Sequence, residues 1–276
     1  MAANTLATEG VTARERSSLQ GSAPQTSDAA SSQGSGGASA MVAMTQRELA
    51  SLFYSPIAYV VGFIFLVVTG YIFVTDTLEP GSEASMRSLF EWMAYLLVFA
   101  VPILTMRSVA EEFSSGAIEM LMTAPVSDGA VILGKFFGTL LFYIALLATT
   151  IPHLILMTVY AQPIFSVVLV SYLGMILLGA LFISVGLFAS SCTRHQLLSA
   201  IIAIAILSLL TFGADRLAER GGTLAIRSFG AYVNILGHFS DFAKGILDTG
   251  SLIFFVSGTV FFLFLATKVL ESRRWR

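Results

Sequence analysis

Charge is scarce in this chain. Asp, Glu, Lys and Arg make up 12% of its 276 residues, against roughly 25% in an ordinary globular domain. So few charges cannot cover the surface of a water-soluble protein of this length, and 56% of the residues are hydrophobic. Cysteine is scarcer still. Cys192 stands alone, which excludes an internal disulfide or a thiolate metal cluster within one chain. Three histidines, His153, His195 and His238, lie far apart without ligand spacing, so no metal site is expected. The formal net charge of −2 gives no basic excess, and nucleic acid is not an expected partner. With a mean hydropathy of +0.83, the chain reads as an all-α integral membrane protein.

Crossing a hydrocarbon layer of about 30 Å takes about 20 helical residues. Six apolar stretches suffice, at about 57–75, 89–106, 136–160, 167–190, 197–213 and 251–270. Within them only helix satisfies the backbone. Small residues spaced by four (Gly134/Gly138, Ala180/Ser184, Gly186/Ser190, Ser199/Ala203) suit close helix packing. Residues 1–40, rich in Ser, Gly, Ala, Gln and Thr, are expected to be a disordered tail. Nothing before Met41 supplies the apolar core of a signal peptide, and Met41 or Met44 could equally be the start.

Six spans put both ends on one side. That side would hold Arg14, Arg16, Arg47, Arg107, Lys135, Arg194, Lys268, Arg273, Arg274 and Arg276. The other would hold Arg87, Arg216, Arg220, Arg227 and Lys244. Ten against five places both termini in the cytoplasm by the positive-inside rule. Trp275 beside Arg273, Arg274 and Arg276 suits an interfacial anchor. In Thr45–Tyr54, Leu49, Leu52 and Phe53 share one face and Gln46, Arg47 and Ser51 lie off it. This predicts a short interfacial helix, with Pro56 turning the chain into the first span.

Catalytic chemistry is missing. The middles of the spans contain no Asp, Glu, Lys or Arg, whereas proton relays and ion pathways need intramembrane charge. His153, next to Pro152, reads as a packing histidine. No HExxH, GxSxG or carboxylate pair occurs in or beside the spans, so no catalytic residue and no cofactor are expected. Gly129 to Lys135 fills the first seven places of a phosphate-binding loop, but Phe136 stands where Ser or Thr must hold magnesium. Gly134 and Lys135 therefore read as the start of the third span.

The most informative polar stretch is 107–128. Glu111 and Glu112 precede a break at Gly116; Glu119 opens a second short turn with Ile118, Leu121 and Met122 on one face, and Pro125 ends it. Acidic residues are repelled by anionic headgroups, so a protein partner suits that polar face. In the longest polar connection, 214–250, Asn234, His238, Asp241 and Asp248 fall near one helical face. His238 and Asp241 are weak candidates there for an outer site or for an extracytoplasmic accessory protein.

The pattern Glu112-xxx-Gly116-xx-Glu119-x-Leu121-xxx-Pro125 resembles the loop motif of ABC-2 type transporter permeases. Ser55-Pro56-Ile57-Ala58-Tyr59 and the stretch from His238 through Asp248 to Trp275 resemble the gliding-motility-type branch. The resemblance covers about residues 44–276. It implies six spans, a coupling helix at about 107–125 seated on a separate ABC ATP-binding subunit, and pairing with a second permease copy or paralogue in the cytoplasmic (inner) membrane. By position, Glu112, Gly116, Glu119 and Leu121 become ATPase-coupling residues. Ala117 stands where the family pattern has Thr, so one hydroxyl contact is missing. The expected function is a permease subunit of an ATP-driven exporter. The alternative is a membrane anchor that transmits force to an extracytoplasmic protein without moving a solute. An intramembrane enzyme is disfavoured by the missing motifs.

Overall fold

The computed structural model describes residues 28–77, 86–116, 127–160, 164–220 and 222–274, with no strand among them. Contacts divide the chain between Met1–Ser39 and Ala40–Arg276. Of the first unit only helical residues 28–39 are described, and most of the expected tail lies outside the described residues. In chain order the helices are α1 (Asp28–Phe53), α2 (Pro56–Ile72), α3 (Arg87–Thr105), α4 (Ala110–Ser114), α5 (Asp128–Ala148), α6 (Ile151–Tyr160), α7 (Phe165–Cys192), α8 (Gln196–Ser208), α9 (Ala214–Arg220), α10 (Leu224–Val233), α11 (Ile235–Ala243) and α12 (Thr249–Arg274). Single π-helical turns, Phe73–Thr77 and Leu209–Gly213, extend α2 and join α8 to α9.

Six helical stretches are long and apolar enough to cross a membrane: Pro56–Asp76, Arg87–Ser114, Asp128–Val159, Phe165–Cys192, Gln196–Arg220 and Thr249–Arg273. The sequence reading therefore finds every span, but three of the helices run past their apolar cores. The third begins at Asp128 rather than 136 because Ser127 caps it, its hydroxyl accepting from the Ala130 N–H at 3.3 Å. The second continues through a turn at 106–109 into α4. The fifth passes through the π turn to Arg220. Pro56 does open α2, with Ser55 at its N-cap, where a missing N–H costs nothing.

Helix α7 is the centre of the bundle and packs against α3, α5, α8, α11 and α12. It is apolar all round, which suits a second half buried among other helices and a first half that exposes Phe165, Leu169 and Leu173. Small residues make room for its neighbours. A Cβ added to Gly179 would lie 2.1 Å from Tyr143 of α5, and one on Gly186 would lie 2.1 Å from Thr105 of α3. Tyr143 is fully buried, and its hydroxyl donates to the Met175 carbonyl at 2.9 Å, which removes the cost of burying a phenol.

The pair Gly134/Gly138 serves α1. Added Cβ atoms would fall 2.6 Å from Met44 Cβ and 2.7 Å from Glu48 Cβ, so the absence of side chains lets α1 lie directly on α5. The face predicted for the Thr45–Tyr54 helix holds in part. Leu52 is buried and Leu49 packs on the core, but Phe53 is partly exposed, touching Phe142 edge-on at 5.2 Å.

Candidate functional site

The end of α3, the turn 106–109 and α4 form the base of the 107–128 segment. A backbone leaving a helix end must find partners for its free groups, and here one serine supplies three. Ser190 Oγ, on α7, accepts from the N–H groups of Val109 and Ala110 at 3.1 and 3.0 Å and donates to the Met106 carbonyl at 3.2 Å. Arg107 grips Glu111 through two hydrogen bonds of 2.8 and 2.9 Å and reaches Ser55 Oγ at 3.4 Å.

Lys135 is the hub. Its side chain is 4% exposed, and its ammonium meets Glu112 Oε1 at 2.9 Å and Glu48 Oε2 at 3.3 Å. It also donates to the Ser108 carbonyl, while Ser108 Oγ donates to Glu48 Oε1 at 2.6 Å. Burying a charge is costly unless partners surround it, and three elements supply them: α1, α4 and the 106–109 turn. Arg47 stands 3.9 Å from Glu112 Oε1, while Glu112 Oε2 is buried without a hydrogen-bond donor. On the far side of α4 the Arg273 guanidinium lies 4.7 Å from the centre of the Phe113 ring and donates to the Cys192 carbonyl, so the end of α12 also holds this segment. A cavity of about 420 Å³ opens between α1, α3 and α4, with Arg47, Arg107, Glu111 and Glu112 in its wall.

Of the predicted coupling residues, Glu112 sits in this network. Gly116 follows α4 with φ of +73° and nothing within 4 Å of its missing side chain, the left-handed conformation that glycine adopts freely. The expected break is thus where the sequence put it. Glu119 and Leu121, with Ile118 and Met122, lie outside the described residues. Lys135 and Glu48 were not singled out as site residues. The available signals were a lysine seven places into an apolar helix beginning at Asp128 and an acidic residue among apolar ones in the N-terminal helix. The partial phosphate-loop match forms no loop: Gly129–Lys135 is regular α-helix, which agrees with reading Gly134 and Lys135 as the start of the third span.

At the other end of the bundle His238 and Asp241 do not converge on a site. His238 Nδ1 meets Ser251 Oγ at 2.9 Å, its Nε2 meets the Tyr232 carbonyl at 3.1 Å, and its ring stacks on Phe254 at 4.4 Å. The Asp241 carbonyl accepts from Lys244 and Ile246 in the turn that ends α11. Among the described residues no group of three His, Cys, Asp or Glu side chains could hold a metal. Asp248 caps α12: its Oδ2 accepts from the Ser251 N–H at 3.0 Å and lies 3.4 Å from Ser251 Oγ. That backbone bond, first among its causes, holds the Asp248 carboxyl below its usual range. Serine, histidine and aspartate here are not a hydrolytic triad. The aspartate bonds the serine rather than the imidazole, and Ser251 is fully buried.

The sequence model described as ABC-2 family transporter protein matches residues 7–232. A search of curated proteins finds no match. The matched range takes in the first five spans and the whole 107–128 segment, and it stops before α11.

Proposed function

The chain belongs to the ABC-2 family of transporter proteins, with more than half its length matched, and on that premise we propose how this permease subunit is driven. It is a multi-pass membrane subunit of an ABC transporter. Our reading is that a separate ATP-binding subunit docks on the 107–128 segment in the cytoplasm, with both termini on that side of the cytoplasmic membrane. Two such permeases, copies or paralogues, enclose the path, and the cargo is exported. ATP hydrolysis belongs to the partner, and this chain contributes no catalytic group. We assign the gliding-motility-type branch from the resemblance of Ser55–Tyr59 and His238–Trp275.

The observation that carries this reading is how the base of the segment is held. Ser190, Lys135, Glu48 and Arg273 join it to α7, α5, α1 and α12. A push on residues 117–126 would therefore reach several helices at once, as a lever requires. Glu112 and Glu119 take different parts in it: Glu112 is spent on Lys135 and fixes the base, while Glu119 belongs to the docked face.

The test is Glu119→Arg. Reversing charge in the docked face should weaken co-purification of the ATP-binding subunit by tenfold or more, since a buried interfacial pair is worth about 2 kcal/mol or more, with membrane insertion unchanged. Undiminished co-purification would overturn the docking assignment. The same purification from native membranes, in mild detergent with mass spectrometry, tests the force-transmitting alternative. A stoichiometric extracytoplasmic protein with no cargo flux would favour that alternative.

A further inference from the structure

The contacts of His238 define its protonation chemistry atom by atom. The Tyr232 carbonyl can only accept, so the 3.1 Å contact requires a proton on Nε2. In the neutral ring Nδ1 is then an acceptor, and Ser251 must point its hydroxyl hydrogen at Nδ1 across 2.9 Å. Ser251 Oγ also lies 3.4 Å from Asp248 Oδ2, but one hydroxyl has one hydrogen. While the imidazole is neutral, that hydrogen is committed to the ring, and the Asp248 carboxylate is held through backbone N–H groups, those of Ser251 and Gly250.

Adding a proton reverses the chain. Nδ1 becomes a donor to Ser251 Oγ, and the hydroxyl turns to donate to Asp248 Oδ2. No bond between heavy atoms forms or breaks; one proton arrives from solvent and one hydroxyl rotates. Every other contact of the ring improves as well. Nε2–H to Tyr232 becomes charge-assisted, and the ring faces Phe254 at 4.4 Å and 24°, where a cation meets the negative face of the aromatic.

Asp248 faces the ring from the α12 side across Ser251, Asp241 follows three residues on in α11 and Lys244 ends that helix, and α10 adds the Tyr232 phenol. Around α11, Glu91, Tyr95 and Asp215 line a cavity of about 230 Å³ beside Gly237 and Ser240. Histidine is the side chain that ordinarily changes charge between pH 5 and 8. Asp248, held below the usual carboxylate range, stays ionised across that window; its capping contribution is lost only as pH falls through its depressed value.

We propose that His238, Ser251 and Asp248 form a proton-operated clamp that ties α11 to the first turn of the last span more tightly in mild acid than at neutral pH. The clamp joins a helix packed on α7 and α3 to the start of α12, so it sets how freely the last span moves at that end of the bundle. It rests on these contacts alone and stands whichever way the subunit is driven.

Hydrogen exchange of the full chain in lipid nanodiscs tests it. After correction for intrinsic exchange chemistry, amides in residues 249–255 should exchange roughly fivefold more slowly at pH 5.5 than at 7.5, the gain from one charge-assisted bond replacing a neutral one. His238→Gln should abolish that difference, and Ser251→Ala and Asp248→Asn should each remove most of it. Exchange independent of pH in the native chain, or a difference that survives His238→Gln, Ser251→Ala or Asp248→Asn undiminished, overturns the clamp. Nitrogen NMR of the native chain gives a check that needs no clamp variant. With the three ring signals assigned through His153→Gln and His195→Gln, the neutral His238 ring should carry its proton on Nε2, and a proton on Nδ1 overturns the relay.

Discussion

Lys135 shares its charge between Glu48 and Glu112, and all three side chains are at most 15% exposed. Removing one partner from a buried ionic cluster leaves charges that nothing compensates, a loss of about 3–5 kcal/mol. Replacing every member with a neutral group of similar volume costs far less. Lys135→Met should therefore destabilise the purified protein by that amount in thermal or denaturant unfolding, and the triple variant with Glu48→Gln and Glu112→Gln should recover most of it. Full stability of the single variant would show that Lys135 reaches solvent. Sequence reasoning expects Glu112 to act in coupling to a partner protein and does not foresee its ion pair within the chain. Its ammonium partner is 23 residues away in Lys135, and Glu48 lies 87 residues before Lys135. No spacing rule links residues that only the packing of α1 on α5 brings together.

Elements were more legible than their contacts. Six apolar runs each had to become a helix, because a bilayer offers the backbone no other partner, and all six are helices. Their ends were misplaced where the signal was polar: Ser127 as a cap, and the polar turn at 106–109 carrying α3 on into α4. Gly134 and Gly138 were visible as a close-packing pair, but not that they receive α1. That contact yields a test. A Cβ on Gly138 would lie 2.9 Å from the Thr45 carbonyl, a backbone atom that cannot swing aside. Gly138→Val should lift α1 from α5 and carry Glu48 away from Lys135. Limited proteolysis would then cut within residues 41–53 at least several-fold faster, with the spans still inserted. An unchanged cleavage rate would mean that α1 is held by something other than this groove.

On the scale of the whole molecule, one helix organises the rest. Because α7 packs against α3, α5, α8, α11 and α12, these five are positioned by a common neighbour, and a displacement at Ser190 reaches one end while a displacement at Phe242, seated on Gly174, reaches the other. The proposal that the end with Arg107, Lys135 and Arg273 faces the cytoplasm rests on charge alone, the Lys and Arg excess on that side. Residue labelling measures it directly. In a Cys192→Ser background, Ser115→Cys lies beside Gly116 at the base of the 107–128 segment, and Ser228→Cys lies on α10. Both native side chains are exposed. A membrane-impermeant thiol reagent added to intact cells should label position 228 and not 115, and inverted membrane vesicles should give the opposite pattern. The reverse result would put the 107–128 segment outside the cell. An ATP-binding subunit could not reach it there, and the driven-permease mechanism would fall whatever the family.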